Sequence, residues 1–219
     1  MKYKCFIFDF DFTLADASSA IVKCYNSTLN TFGYKSAEEY DIKRTIGLTL
    51  EQGFNRLTGE ASPEKLHNMK QTYISFADEI MTKSTLFYPD ALDAVRKIKS
   101  DGGLVGIVTT KLSHRVTDAL EYNNIAEFFD TITGCDDVTV AKPSPEGLLK
   151  TIIKLGVSKN EVLYVGDSTV DARTAKNAGV DFAAVLTGVT RAAEFEGFPC
   201  IQMAESMKKL FELIEWGGI

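Results

Sequence analysis

Asp9 and Asp11 stand two residues apart, with Thr13 two further on, directly after the apolar run Cys5-Phe6-Ile7-Phe8. The run reads as a strand covered on both faces, because such strands are continuously hydrophobic rather than alternating. Side chains at i and i+2 of an extended chain point to the same side, so the spacing predicts that both acids face one small site. Carboxylates held close together repel, and need a cation or a division between ionised and protonated forms. A turn cap beside a solvated acid is the plain alternative.

Three further polar clusters weigh on that choice. Thr109-Thr110-Lys111 ends a second apolar run, Ala141-Lys142-Pro143-Ser144-Pro145-Glu146 precedes a helical pattern, and Gly166-Asp167-Ser168-Thr169-Val170-Asp171 ends a later run. Asp167 and Asp171 fall one helical turn apart on one face. They read either as a cap with a first-turn acid or, beside Asp9 and Asp11, as a hard oxygen-ligand site. Mg2+ suits the second reading, since it accepts one or two carboxylates plus waters and phosphate oxygens. Lys142, held extended by Pro143, would balance charge on a phosphoryl group and on Asp9. Thr109 would donate its hydroxyl, and N–H groups at a helix start would add anion donors. Lys111 and Arg115 are expected at a solvated helix start, and His67 and His114 on the surface.

Elements able to gather these clusters recur along the chain. Strand-like runs cover residues 4–8, 104–109, 131–132, 162–165 and 182–186. Helical patterns separate the later ones: an Ala91, Val95, Ile98 stripe, then 113–122, 145–155 and 169–178, the last stopped by Gly179. A final helix carries Met207, Leu210, Phe211 and Ile214 on one face, with Trp216 placed to pack under it. The alternation predicts an α/β fold, a doubly wound parallel sheet whose ligands bind at the carboxyl ends of the strands. Residues 16–87 break it with four helical segments (18–32, 37–45, 50–57 and 63–81). The reading is a small α-helical domain, 16–87, inserted in a core formed by 1–15 and 88–219.

At 219 residues, with 45% hydrophobic and 25% charged, the chain can bury a full core and is not composed for disorder. A net charge of −6 excludes a general affinity for nucleic acid or an anionic membrane, both of which need basic surface. No apolar run approaches the roughly 18 residues of a bilayer span, and none near the N-terminus reads as a signal peptide. Four scattered cysteines lack metal or redox spacing and fit a reducing cytoplasm.

In order and at strand ends, these motifs resemble the haloacid dehalogenase superfamily, in its phosphatase branch. Asp-x-Asp-x-Thr matches at Asp9 to Thr13, the Ser/Thr motif at Thr109, the lysine motif at Lys142 and Gly-Asp-x-x-x-Asp at Gly166 to Asp171. The insertion is similar to the family's C1 α-helical cap, and the nearest subgroup in appearance is that of phosphoglycolate phosphatases. Phe12 departs from the Gly common at its position.

The resemblance implies a Mg2+-dependent phosphatase for a small phosphorylated metabolite, monomeric or homodimeric. Asp9 would be the nucleophile and Asp11 the general acid and base. Thr109, Thr110 and Lys142 would hold the phosphoryl group. Mg2+ would be held by the Asp9 carboxylate, the Asp11 carbonyl and Asp167, with Asp171 in support. The cap segment 43–48 would select the leaving group, with Lys43 or Arg44 meeting an anionic tail and Phe12 affecting how cap and core meet. A phosphosugar mutase keeps the same site. A receiver-like phospho-accepting domain without turnover lacks the insertion and the fourth motif, and a metal-free dehalogenase lacks the second acid.

Overall fold

The computed structural model describes residues 2–214 and places β1 (Cys5–Phe8) at the centre of a six-stranded sheet. The strand is continuously apolar because its side chains alternate between two cores. Phe6 and Phe8 join Val105, Ile107, Leu163 and Val165 on one face, while Cys5 and Ile7 join Val162, Tyr164 and Phe182 on the other. The chain then turns over residues 10–14. It leaves the core through β2 (Ala15–Asp16) and returns through β3 (Leu86–Phe87), an antiparallel two-stranded ribbon.

Between the two ribbon strands lie α1 (Ser18–Thr31), α2 (Glu39–Lys43), α3 (Leu50–Thr58) and α4 (Pro63–Ser84). Local signals fix two of their starts. Thr49 and Gln52 form a reciprocal capping box, and the Ser62 hydroxyl accepts from the Lys65 N–H with Pro63 in the first turn. These helices bury their own apolar cluster. Within it the Tyr25 ring lies 4.8 Å from Phe54 and 5.1 Å from Tyr73, centroid to centroid.

The rest of the chain is α5 (Pro89–Ser100), β4 (Leu104–Val108), α6 (Ser113–Tyr122), β5 (Thr131–Thr133), α7 (Glu146–Leu155), β6 (Val162–Gly166), α8 (Thr169–Ala178), β7 (Asp181–Val185), β8 (Gln202–Ala204) and α9 (Met207–Leu213). The sheet order is β5-β4-β1-β6-β7-β8, parallel throughout. Phe8 pairs with both Ile107 and Val165, which levels the carboxyl ends of β1, β4 and β6. The chain leaves β1 for both sides of the sheet, so this level edge is the topological switch point at which such sheets bind ligands.

The structure shortens the second cap helix to Glu39–Lys43 and adds β2, β3 and β8, elements of two or three residues whose patterns are too short to carry a period. Met207 and Leu210 are buried, with Phe211 and Ile214 packed against the same core, as the spacing predicted. Trp216 lies outside the described residues. Both histidines are exposed. No helix among the described residues is long and apolar enough to cross a membrane.

Candidate active site

Asp9 is the first residue past β1, where its N–H donates to the Val165 carbonyl at 2.9 Å. Lys142, just before α7, reaches it from the side: Lys142 Nζ donates to Asp9 Oδ1 and to Asp171 Oδ1, each at 2.7 Å. The Tyr164 hydroxyl completes the cluster, 3.2 Å from the ammonium, 3.0 Å from Asp171 Oδ1 and 3.1 Å from the Val108 carbonyl. All four residues are buried. Tyr164 was missed in the sequence. Its one signal was a hydroxyl placed in a strand that is otherwise wholly apolar, where a buried Tyr needs a partner.

Asp171 is held beneath β6. A Cβ at Gly166 would stand 2.5 Å from the Asp171 Cβ, so only glycine admits the side chain there. Ser168 caps α8: its Oγ accepts from the Asp171 N–H at 3.3 Å and donates to Asp171 Oδ2 at 2.6 Å. Ser168 therefore takes the role that Asp167 would have under the cap reading, and Asp167 is free of it. Among the described residues no donor reaches the Asp167 carboxylate. It packs against Gly188, where a Cβ would stand 2.0 Å from Oδ2.

One carboxylate oxygen from each of Asp9, Asp167 and Asp171 lies within 4.8 Å of the others. Burial pushes Asp9 up to about 7, Asp171 adds to this and Lys142 opposes it. Asp167 is held well above the ordinary carboxylate range by burial, then by Asp171 and Asp9. Burial works to lower the Lys142 ammonium, yet Asp171 and Asp9 hold it well above its usual value. One lysine against three buried carboxylates leaves a deficit of positive charge, and a hard divalent cation fits it. The oxygens of Asp171 are engaged by Lys142, Tyr164 and Ser168, which leaves Asp9 and Asp167 as the carboxylates with room for a metal.

The Asp11 carboxylate does not join this cluster, whose acid oxygens come from Asp9, Asp167 and Asp171, and lies on its cavity side. The extended-chain rule stops at Phe8: the N–H groups of Leu14 and Ala15 both donate to the Phe10 carbonyl, at 2.9 and 3.1 Å, and the chain has already turned. The Asp11 carboxylate is instead held by Lys111 Nζ at 2.9 and 3.0 Å. Lys111 and Arg115 are likewise not solvated, with 8% and 7% of their side chains exposed. Arg115 spans from α6 to α4, donating to the Ile74 carbonyl at 2.9 Å and to Asp78 Oδ1 at 2.7 Å. Thr109 is buried at the end of β4, its Oγ1 accepting from the Lys111 N–H at 3.1 Å.

A cavity of about 290 Å³ opens between the helical layer and the sheet edge, with Asp11, Thr110 and Lys111 on its floor. Residues 45–48 of the predicted selecting segment line it, but Lys43, Arg44 and Phe12 do not. Lys43 pairs with Glu39 at 2.6 Å within α2. Arg44 points to the core and grips Glu194 with both terminal nitrogens, at 2.9 and 2.7 Å. The expectation that either meets an anionic substrate tail fails in this geometry, because a carboxylate of the chain already occupies that place. Phe12 is buried with φ of 61°, in the left-handed region that costs a non-glycine residue about 1–2 kcal/mol. That backbone position accounts for a preference for glycine there.

A parallel sheet with an aspartate-bearing turn after its central strand, a buried lysine and a paired acidic motif defines a hydrolase of the haloacid dehalogenase-like class. The family model for haloacid dehalogenase-like hydrolases matches residues 6–185, and the chain belongs to that family. Its relatives include pyrophosphatase PpaX of Bacillus cereus, 30% identical over 214 residues, which span 98% of this chain and 97% of that protein. A crystal structure of a haloacid dehalogenase-like hydrolase from Bacteroides fragilis superposes with a TM-score of 0.93 at 43% identity, covering 95% of this chain and all of the other. A predicted phosphoglycolate phosphatase from Haemophilus somnus shares the fold, with a TM-score of 0.86 at 20% identity over 97% of this chain and 98% of that one. The protein is thus an enzyme of this hydrolase family, with phosphatase and pyrophosphatase relatives.

Proposed function

We propose that the protein hydrolyses a small phosphate monoester in a Mg2+-dependent reaction that passes through an aspartyl-phosphate on Asp9. The observation that carries this reading is the separation of the two acids. Asp9 is fixed in a buried network with Lys142, beside an Asp167 that no donor reaches among the described residues, while the Asp11 carboxylate is held by Lys111 on the floor of the cavity.

In this reading an Asp9 oxygen attacks phosphorus and the bond to the leaving oxygen breaks. Asp11, on the cavity side, gives that oxygen a proton. It later takes one from the water that attacks the aspartyl-phosphate, releasing phosphate and restoring Asp9. Lys111 has to yield the Asp11 carboxylate for the first of these steps. Thr109, Thr110 and Lys142 orient the phosphoryl oxygens and offset their charge. Asp9 and Asp167, with the Asp11 carbonyl, would hold Mg2+, which when bound supplies charge stabilisation for a loose phosphoryl-transfer transition state. Asp171 supports the arrangement by fixing Lys142.

Steady release of inorganic phosphate from p-nitrophenyl phosphate tests the reading. Asp9→Asn should lower kcat on the order of 10⁴-fold or more with the far-ultraviolet circular dichroism unchanged. A variant retaining a tenth of wild-type turnover would reject Asp9 as the nucleophile. Product analysis with glucose 1-phosphate separates this reading from a mutase, which would return the phosphoryl group to the sugar.

A further inference from the structure

We propose that the preferred substrate of this site is a monoester whose alcohol carries an apolar body, rather than pyrophosphate or a small phosphorylated acid. The inference rests on the phosphatase reading above and adds the chemical class of the leaving group.

The position of the cavity comes first. Asp11 and Thr110 line it, whereas Asp9, Lys142 and Asp167 do not. It therefore holds the part of the substrate on the proton donor's side of the scissile bond. At about 290 Å³ it lies at the lower end of small-molecule sites, which run from about 300 Å³ upward. Such a volume suits a compact organic group and exceeds what a second phosphate would fill.

The walls decide the chemistry. Apolar side chains, among them Leu48, Leu50, Tyr73, Ile74, Met81 and Leu112, line much of the cavity beside several threonines. Three cations also reach the cavity, and each is already paired: Lys111 with Asp11 at 2.9 Å, Lys70 with Glu51 at 2.7 Å and Arg115 with Asp78 at 2.7 Å. An anionic leaving group would have to displace one of these carboxylates, or be buried against hydrocarbon without a counter-charge, which is strongly unfavourable. The two cations of the selecting segment that could have served instead, Lys43 and Arg44, are bound to Glu39 and Glu194 outside the cavity. An alcohol with a hydrocarbon body needs no such exchange and gains from leaving water.

The test is kcat/KM for methyl, propyl, pentyl and benzyl phosphate beside pyrophosphate and phosphoglycolate, on the full chain with Mg2+. The alkyl leaving groups differ little in intrinsic reactivity, so the series reads the cavity wall. The expected result is a rise of about fourfold per methylene until the cavity is filled, with pyrophosphate and phosphoglycolate below pentyl phosphate. Ile74→Trp, which narrows the cavity, should flatten the series, read as the ratio of kcat/KM for pentyl phosphate to that for methyl phosphate within the variant. Ile46→Phe provides the same reading from the opposite wall should the first variant fail to fold. A flat series with pyrophosphate or phosphoglycolate as the best substrate overturns this inference and leaves the phosphatase reading standing. Release of phosphate from none of the compounds overturns both.

Discussion

The carboxylate cluster around Lys142 and the cavity that meets it at Asp11 are adjoining halves of one site, built on opposite principles. In the cluster, charge is dense and sealed: Lys142 and its three partners are buried and hydrogen-bonded to one another. In the cavity, each lining cation is paired with a carboxylate and much of the wall is apolar. The cluster draws its precision from a level sheet edge, with residues that follow adjacent parallel strands. The cavity draws its shape from the packing of a separate helical layer against that edge. On the function proposed above, chemistry would sit on the rigid half and selection on the half that can be repacked, an arrangement suited to varying substrate without disturbing catalysis.

The largest test of this contrast compares two lysines. Lys142→Met leaves Asp9 and Asp171 buried without their counter-charge, and breaking a buried pair of this kind costs about 3–5 kcal/mol of stability. Lys70→Met, at a pair with 29% and 34% of the side chains exposed, should cost no more than about 1 kcal/mol. Urea denaturation measures both, and similar losses would erase the distinction between sealed and rim charge. A second test uses the metal. Mg2+ at a hundred times its dissociation constant should add about 2.7 kcal/mol to the stability of the wild-type chain. Asp167→Asn should remove that gain, while cavity variants such as Ile74→Trp keep it. A thermal shift that persists in Asp167→Asn would place the cation elsewhere.

The two halves also differed in how far they could be read from the sequence. Asp9, Lys142, Asp167 and Asp171 were legible because strand period, strand ends and a four-residue helical spacing fix where such residues fall. Tyr164 escaped, since within the motif-bearing strand its hydroxyl gains meaning only once Lys142 is known to lie across from it. The Lys111 partner of Asp11 was not legible because a turn interrupts the extended chain one residue after Asp9, and no periodic signal marks a turn so short. The environments of Lys111, Arg115 and Arg44 depend on the helical layer closing over the sheet. Helix-start chemistry for Lys111 and Arg115, and a turn for Arg44, describe each alone and say nothing of Asp78 or Glu194, which lie 37 and 150 residues from their partners.

The smallest effect is the most specific to the junction between the halves. Arg44 on the helical layer and Glu194 on the core form a bidentate pair, and Arg44 also donates to the Val189 carbonyl at 3.3 Å. The Arg44 guanidinium, followed by the Arg191 N–H, lowers the Glu194 carboxyl to about 2. A depressed carboxyl contributes stability above its unfolded value of 4.5 and loses that contribution as pH falls through its folded value, so the coupling should be full at pH 6 and fade between about 4.5 and 2. With a quarter to a third of each side chain exposed, at 25% and 34%, the coupling should be about 0.2–1 kcal/mol, smaller in high salt. A double-mutant cycle of Arg44→Ala and Glu194→Ala measures it. If the pair acts by holding the segment beside the cavity, either single variant should raise KM to the same degree and the double variant no further. A larger rise for Arg44→Ala confined to carboxylated esters would return Arg44 to the substrate and take it out of the junction.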